Sequence, residues 1–369
     1  MRILIVSIFP TDGKPRGGVE TATQNLVVGL QGLGVEVVVV DPRVGSLGRW
    51  CSTHDRVPVE TLGVGRVQGR SARARESIAK IAAKYQVNIV HGQGTARYLP
   101  ANYPTVFTLH GILELEVATE EPRLRGWAKR VTVVRQERAA RLAAPNVIAI
   151  SAFNRSFLDP KRQRIWDIPN AISPHFYETP STVRTQKFLY AGSLRGRKRV
   201  RELLSAFHHA APSSGWRLAV AGYGLDTPYG QQCQADAMSL GIAAQVDWLG
   251  ALSPKDLAQQ MSSAHSLVLP SAAEGAPMVI AESMACGLPV IATDVGAARE
   301  MIEDGKTGLL VRPEDESSLT KALSRMMHVD VADGWSDQAR QAAARYDHRR
   351  VGESTLRVYE SVLTQESQW

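Results

Sequence analysis

Cysteine is scarce in this chain. Cys51, Cys233 and Cys286 are the only three in 369 residues, and none stands in Cys-x-x-Cys spacing. That excludes a disulfide framework and a cysteine-built zinc site, and it fits a reducing, cytoplasmic setting. Long apolar runs are missing too: none approaches the roughly 20 residues needed to cross a bilayer. The apolar opening Arg2–Phe9 is too short for a secretory signal and lacks a small-residue cleavage site, so it reads as a buried parallel strand. Aromatic residues make up only 6%. Few of them interleave with the basic stretches, and no nucleic-acid-binding module is visible, so nucleic acid is not an expected partner. Asp-x-Asp, Gly-x-Gly-x-x-Gly, internal repeats and low-complexity tracts are all absent.

The composition that remains, 44% hydrophobic and 21% charged, is that of a globular protein. Its length suits two domains better than one core. Short β-branched runs alternate with helical patterns, the signature of parallel α/β units. The first half reads as strands at Arg2–Ile8, Val35–Asp41, Val87–His91, Thr105–Leu109 and Val147–Ser151. The second half reads as strands at Lys187–Ala191, Arg217–Ala221, Gln245–Trp248, Ser266–Leu269, Val290–Thr293 and Gly308–Val311. Val19, Ala22, Leu26, Leu30 and Leu33 give a helix over 19–33, stopped by Gly34. The stretch Ile172–Thr185, with Pro174 and Pro180 and no period, marks the boundary. The expected plan is two doubly wound Rossmann-like domains, 1–172 and 185–347, facing each other across a cleft, with ligands at the carboxyl ends of the strands. The formal charge is +7. The positive excess lies in the first half, which is therefore expected to meet something anionic: a membrane surface, an acidic glycan or a lipid-diphosphate acceptor.

The most informative segment is Glu274-Gly275-Ala276-Pro277-Met278-Val279-Ile280-Ala281-Glu282. Proline opens helices, so a helix is expected from Pro277 to near Cys286, with Gly287 as its stop. The amides of Met278 and Val279 then lie at the positive end of the helix, which is an anion site. Glu274 and Glu282 bracket it, and carboxylates accept hydrogen bonds from sugar hydroxyls. This spacing resembles the Glu-x7-Glu motif of the retaining glycosyltransferases of family 4, which have the GT-B fold. The resemblance continues through Ala285-Cys286-Gly287-Leu288-Pro289-Val290-Ile291-Ala292-Thr293 and a reduced Gly-Gly-x-x-Glu at Gly296 and Glu300. It covers nearly the whole chain and is weakest over 43–84 and 113–144.

Other segments extend the resemblance. Arg16-Gly17-Gly18-Val19-Glu20 follows the first strand and opens the first helix, where glycine lets backbone approach a phosphate. Tyr190-Ala191-Gly192-Ser193-Leu194-Arg195-Gly196-Arg197-Lys198-Arg199 resembles the family's Gly-Arg-Leu, three residues, Lys-Gly. Lys198 falls on the lysine, Ser193 replaces the arginine and Arg199 the glycine, while Arg197 or Arg195 can supply the guanidinium. Thr108-Leu109-His110-Gly111 ends a strand where the family has a histidine that reaches the transferred sugar or its diphosphate. His91 is read as structural. Ile168-Pro169-Asn170-Ala171-Ile172 resembles the Pro-Asn-Gly-Val that closes the first domain. Gly222-Tyr223-Gly224 and Trp248-Leu249-Gly250 resemble parts near the nucleotide.

The resemblance implies a metal-independent, retaining hexosyl-type transferase that moves a sugar from a nucleoside-diphosphate sugar, a UDP-sugar in the first place. The acceptor would be a hydroxyl of a glycan, lipid-linked glycan or small molecule. His110, Glu274, Arg197 and Lys198 would be catalytic. Gly17, Gly18, Gly192, Ser193, Leu249, Gly275, Ala276, Met278, Val279 and Glu282 would bind the donor. The last helix, about 348–369, would cross back to the acceptor-side first domain. No metal or other cofactor is expected. Basic stretches 66–84 and 123–141 have the make-up of surfaces for anionic lipid or an acidic acceptor, which would make the protein peripheral on a membrane. The rival readings are a GT-B epimerase or sugar-phosphate synthase, and a non-catalytic sugar-nucleotide or membrane-binding module.

Overall fold

The computed structural model describes residues 1–8, 17–41, 48–51, 56–61, 70–118, 127–180, 182–211, 215–330 and 334–366. The chain divides into two units, Met1–Ile172 with Arg345–Trp369, and Ser173–Ala344.

In the first unit the strands are β1 (Arg2–Val6), β2 (Glu36–Asp41), β3 (Gly48–Cys51), β4 (Arg56–Thr61), β5 (Ile89–Gln93), β6 (Thr105–Leu109), β7 (Asn146–Ala149) and β8 (Arg164–Asp167). They form one sheet in the order β3-β4-β2-β1-β5-β6-β7-β8. All neighbours pair parallel except β3 with β4. Both faces of β1 are buried, as its near-continuous apolar run requires. Ile3 and Ile5 pack under Leu26, Val27 and Leu30 of the helix Gly18–Gln31 and under Val351, Val358 and Tyr359 of the helix His348–Glu366. Leu4 and Val6 face the opposite layer, with Ile78 and Ala82 of the helix Arg70–Lys84. The C-terminal helix crosses the first at Gly29 and Gly352. A Cβ on Gly29 would meet the His348 carbonyl at 2.1 Å, so only glycine permits this approach.

The second unit holds β9 (Lys187–Ala191), β10 (Arg217–Ala221), β11 (Val246–Gly250), β12 (Ser266–Leu269), β13 (Val290–Thr293) and β14 (Gly308–Val311), all parallel, in the order β11-β10-β9-β12-β13-β14. Strand order reverses between β9 and β12, the topological switch point at which doubly wound sheets bind ligands. Side-chain caps from Thr227, Ser253 and Asp315 start three of its helices.

Several expected boundaries shift. The strand expected from Val87 occupies Ile89–Gln93 and the one expected to Ser151 ends at Ala149. The pairs β3 and β4 at the sheet edge, and β8 at the other, were not expected at all. The helix after Glu274 runs Met278–Ala285, with Pro277 just before it as the N-cap.

Candidate active site

The loops after β9 and β12 meet at the second unit's switch point. Gly192 leaves β9, and its amide donates to Ala221 O at 2.9 Å. Gly222, which leaves β10, has φ of +147°, and a Cβ there would fall 1.8 Å from the Gly192 carbonyl oxygen, so the loops after β9 and β10 cross in contact. Tyr190 Oη donates to Ser193 O at 2.9 Å from below. The chain then makes the 3-10 turn Gly196–Lys198. Arg199, standing where the related motif has glycine, keeps a left-handed conformation at φ 54° and ψ 41°. A non-glycine residue pays roughly 1–2 kcal/mol for that backbone.

This turn aims two cations at the loop after β12. Lys198 Nζ donates to Glu274 Oε1, and Arg197 lies 3.7 Å from Glu274 Oε2. Arg197 Nη1 also donates to Ala273 O at 3.0 Å, and Ala272 N donates to Arg197 O at 2.8 Å. The Lys198 and Glu274 side chains are 12% and 8% exposed, so their pairing is far less screened than a surface ion pair. From the other side Gly296 braces the same loop. It has φ of +56°, a Cβ on it would stand 2.0 Å from Glu274 O, and Ala297 N donates to Gly275 O at 2.8 Å.

Gly275 and Ala276 lead into the helix Met278–Ala285. Pro277 offers no side-chain cap, and the amides of Met278 and Val279 have no earlier helical carbonyl to bond. At the far end Arg184 donates to Cys286 O at 3.4 Å and Gly287 O at 2.7 Å, and also to Met261 O and Ala264 O at the end of the helix Pro254–Ser263. Burial lowers the Arg184 guanidinium to about 10, still charged at neutral pH, so one cation closes the negative ends of two helices.

Glu282 sits one turn into this helix and is buried. Among the described residues no cation pairs with it. Burial alone pushes its carboxyl up to about 7. The unfolded chain ionises this group at ordinary carboxylate pH, while the folded protein holds the proton. Stability should therefore fall as pH rises from about 4.5 to about 7 and level off above, by up to about 3 kcal/mol from this group. Melting temperatures across pH 5–8 should show a flatter profile for Glu282→Gln than for the parent; identical slopes would refute the assignment.

Leu249 is placed apart, at the end of the edge strand β11, two strands from β9. It joins the same rim through Gly250 O, which accepts from Gly222 N at 2.7 Å. In the first unit Gly17 and Gly18 start the helix Gly18–Gln31, and Cβ atoms on either would meet nothing within 4 Å. Their φ values are not in the left-handed range. Neither local packing nor backbone conformation within this unit demands glycine at these positions. Arg16 lies outside the described residues. His110 follows β6, is 8% exposed, and is lowered by burial to about 4, hence neutral. His91 is fully buried between Tyr359 and Thr108.

Ion pairs consume part of both basic stretches. Lys80 bonds Glu76, Lys84 bonds Glu60, and buried Arg141 bonds Glu114 at 2.7 Å. Arg135 and Arg138 remain exposed on the helix Trp127–Ala143. Residues 66–69 and 123–126 lie outside the described residues. Among the described residues no helix is long and apolar enough to cross a membrane, and no cluster of metal-ligating side chains occurs.

Two parallel α/β units, each with its candidate residues at the carboxyl ends of its strands, define the GT-B class of fold. Residues 16–176 match the family model "Glycosyltransferase Family 4", and residues 176–345 match "Glycosyl transferases group 1". The chain belongs to this glycosyltransferase family. It is 33% identical over 168 residues to a lipopolysaccharide 1,6-galactosyltransferase of Salmonella typhimurium, covering 44% of this chain and 45% of that protein. It is 32% identical over 137 residues to a phosphatidyl-myo-inositol mannosyltransferase of Mycobacterium leprae, covering 37% of each. The chain thus spans less than half the length of these relatives. The fold matches Anabaena Alr3699/HepE, solved with UDP and glucose, at a TM-score of 0.74 and 20% identity over 97% of this chain and 99% of that one.

Proposed function

We propose that this protein is a retaining glycosyltransferase that moves a hexose from a nucleoside-diphosphate sugar to a hydroxyl of a glycan or lipid-linked glycan. The observation that carries this reading is the meeting of Lys198, Arg197 and Glu274 beside the open start of the helix Met278–Ala285. As the glycosidic bond to the diphosphate breaks, negative charge grows on the leaving phosphate. Fixed cations and unpaired amides stabilise that charge more than the ground state. In this reading Arg197, Lys198, the Met278 and Val279 amides, and the Gly192–Ser193 and Gly17–Gly18 backbones hold the diphosphate. Glu282 accepts from the ribose hydroxyls, Glu274 with Gly275 and Ala276 holds the sugar, Leu249 lines the base, and His110 serves the reacting sugar. A carboxylate tied to two cations is a poor nucleophile. Same-face displacement therefore fits Glu274 better than a glycosyl-enzyme: the acceptor oxygen bonds C1 as the phosphate leaves, and that phosphate takes the acceptor's proton.

Residues 185–347 would carry the donor, and 1–172 with the last helix the acceptor. UDP is the first choice of nucleotide, in keeping with the UDP bound by the structurally similar Anabaena protein. Exposed Arg135 and Arg138 suit an anionic acceptor or an anionic bilayer beneath it; flotation on anionic against neutral vesicles reads the second directly. Titration calorimetry with a panel of nucleoside diphosphates tests the donor site. One should bind in the micromolar range or tighter, and mass spectrometry with the matching sugar donor should show free nucleotide released on addition of acceptor. Binding of none would overturn the reading.

A further inference from the structure

A chain of polar side chains runs through the interior of the first unit and ends at His110. Tyr359, on the helix His348–Glu366, places its Oη 2.6 Å from His91 Nδ1. His91 Nε2 lies 2.7 Å from Thr108 Oγ1 and 3.1 Å from Gln93 Nε2. Gln93 Oε1 then lies 2.5 Å from His110 Nε2. His91, Gln93, Thr108, His110 and Tyr359 are all buried.

Donors and acceptors must alternate along such a chain. Burial keeps both imidazoles neutral, at about 3 for His91 and about 4 for His110, so each ring carries one N–H. The Gln93 amide nitrogen can only donate, and it lies 3.1 Å from His91 Nε2 and 3.4 Å from His91 Nδ1. Tyr359 Oη and Thr108 Oγ1 each face one His91 nitrogen, and each can donate or accept, so they satisfy either neutral tautomer of that ring. At the other end the Gln93 carbonyl oxygen can only accept, so the His110 nitrogen facing it carries the proton. His110 Nδ1 is left with a lone pair and no partner among the described residues.

We propose that Gln93 is a positioning residue that holds His110 as its Nε2–H tautomer, leaving Nδ1 as the acceptor for a hydroxyl of the bound sugar. The last clause rests on the function proposed above; the tautomer does not. A neutral ring whose single N–H is spent on Gln93 accepts a hydroxyl proton and cannot donate to a phosphate oxygen. Of the two roles the family resemblance allows His110, this selects the sugar over the diphosphate. Tyr359 and Thr108 hold the His91 ring, the amide nitrogen of Gln93 lies beside that ring, and a reversed amide would force the opposite tautomer on His110.

Long-range proton–nitrogen correlation on the full chain labelled with 15N-histidine reads the tautomer with no substrate present. His110 should be protonated at Nε2 near pH 7; protonation at Nδ1 would overturn the proposal. Gln93→Met keeps the side chain's length and removes the acceptor. It should give mixed tautomers and lower kcat about 10-fold, with the donor KM changed less than about twofold. In a His110→Ala background the same substitution should cost almost nothing further, because coupled residues are non-additive. A 10-fold loss in both backgrounds would show that Gln93 does not act through His110. If no donor is ever turned over, the functional reading fails while the spectrum still decides the tautomer.

Discussion

Lys198→Ala should lower kcat by about 10² or more, the scale on which a lost transition-state donor acts. The reason is geometric as well as electrostatic. Lys198 ends the turn Gly196–Lys198, is only 12% exposed, and has its ammonium on Glu274. Truncation takes away charge where the leaving diphosphate gains it, and it leaves Glu274 with only the 3.7 Å contact to Arg197. An uncompensated buried carboxylate is costly, so the variant should also melt earlier. The two effects separate in the double variant Lys198→Ala with Glu274→Gln. Removing both charges should recover most of the melting temperature and none of the rate. Nucleotide release at saturating donor measures the rate, and scanning calorimetry the stability. A Lys198→Ala enzyme with unchanged kcat would take this lysine out of the mechanism.

Much of the architecture could be read without coordinates because parallel strands buried on both faces leave long apolar runs. Lys187–Ala191, Ser266–Leu269 and Val290–Thr293 are such runs, and each is a strand of the second sheet. The strands that escaped notice lie at or next to the sheet edges. Strand β8, at one edge, is Arg-Ile-Trp-Asp and half exposed, and β4, one in from the other edge, has Pro58 between Val57 and Val59. An edge strand needs neither continuous apolar character nor every amide, so its residues give no strong period.

The motif around Glu274 was visible as spacing, but its partnership with Lys198 was not, since 76 residues separate the two. Only the adjacency of β9 and β12 joins them. The same holds for the route from Tyr359 to His91, 268 positions apart, which depends on the C-terminal helix lying across β5. Gln93 carried a faint local signal, as the last residue of a strand at the first sheet's own switch point, between β1 and β5. Nothing in its residue type marked it out.

Gly296→Ala should be among the most damaging single-methyl changes in the second unit's site. The new Cβ would stand 2.0 Å from Glu274 O and 2.7 Å from Gly275 O, both backbone atoms that cannot rotate away. The left-handed φ of +56° adds its own penalty for any side chain. Relief requires the loop carrying Glu274 to retreat by about an ångström, and a misplacement of that size costs on the order of 10² in rate. The same loop holds Arg197 through Ala273 O and leads into Met278, so sugar and diphosphate contacts would shift together. Donor affinity should weaken along with kcat, which distinguishes this variant from Gln93→Met, whose effect falls on kcat alone. Gly305→Ala supplies the control. It has φ of +79°, and its Cβ would meet nothing within 4 Å, so it bears the backbone penalty without the collision. If the two alanine variants lose stability and activity equally, the close approach at Gly296 does not govern the site. If only Gly296→Ala loses nucleotide binding, the glycine is there to let the Glu274 loop close against its neighbour.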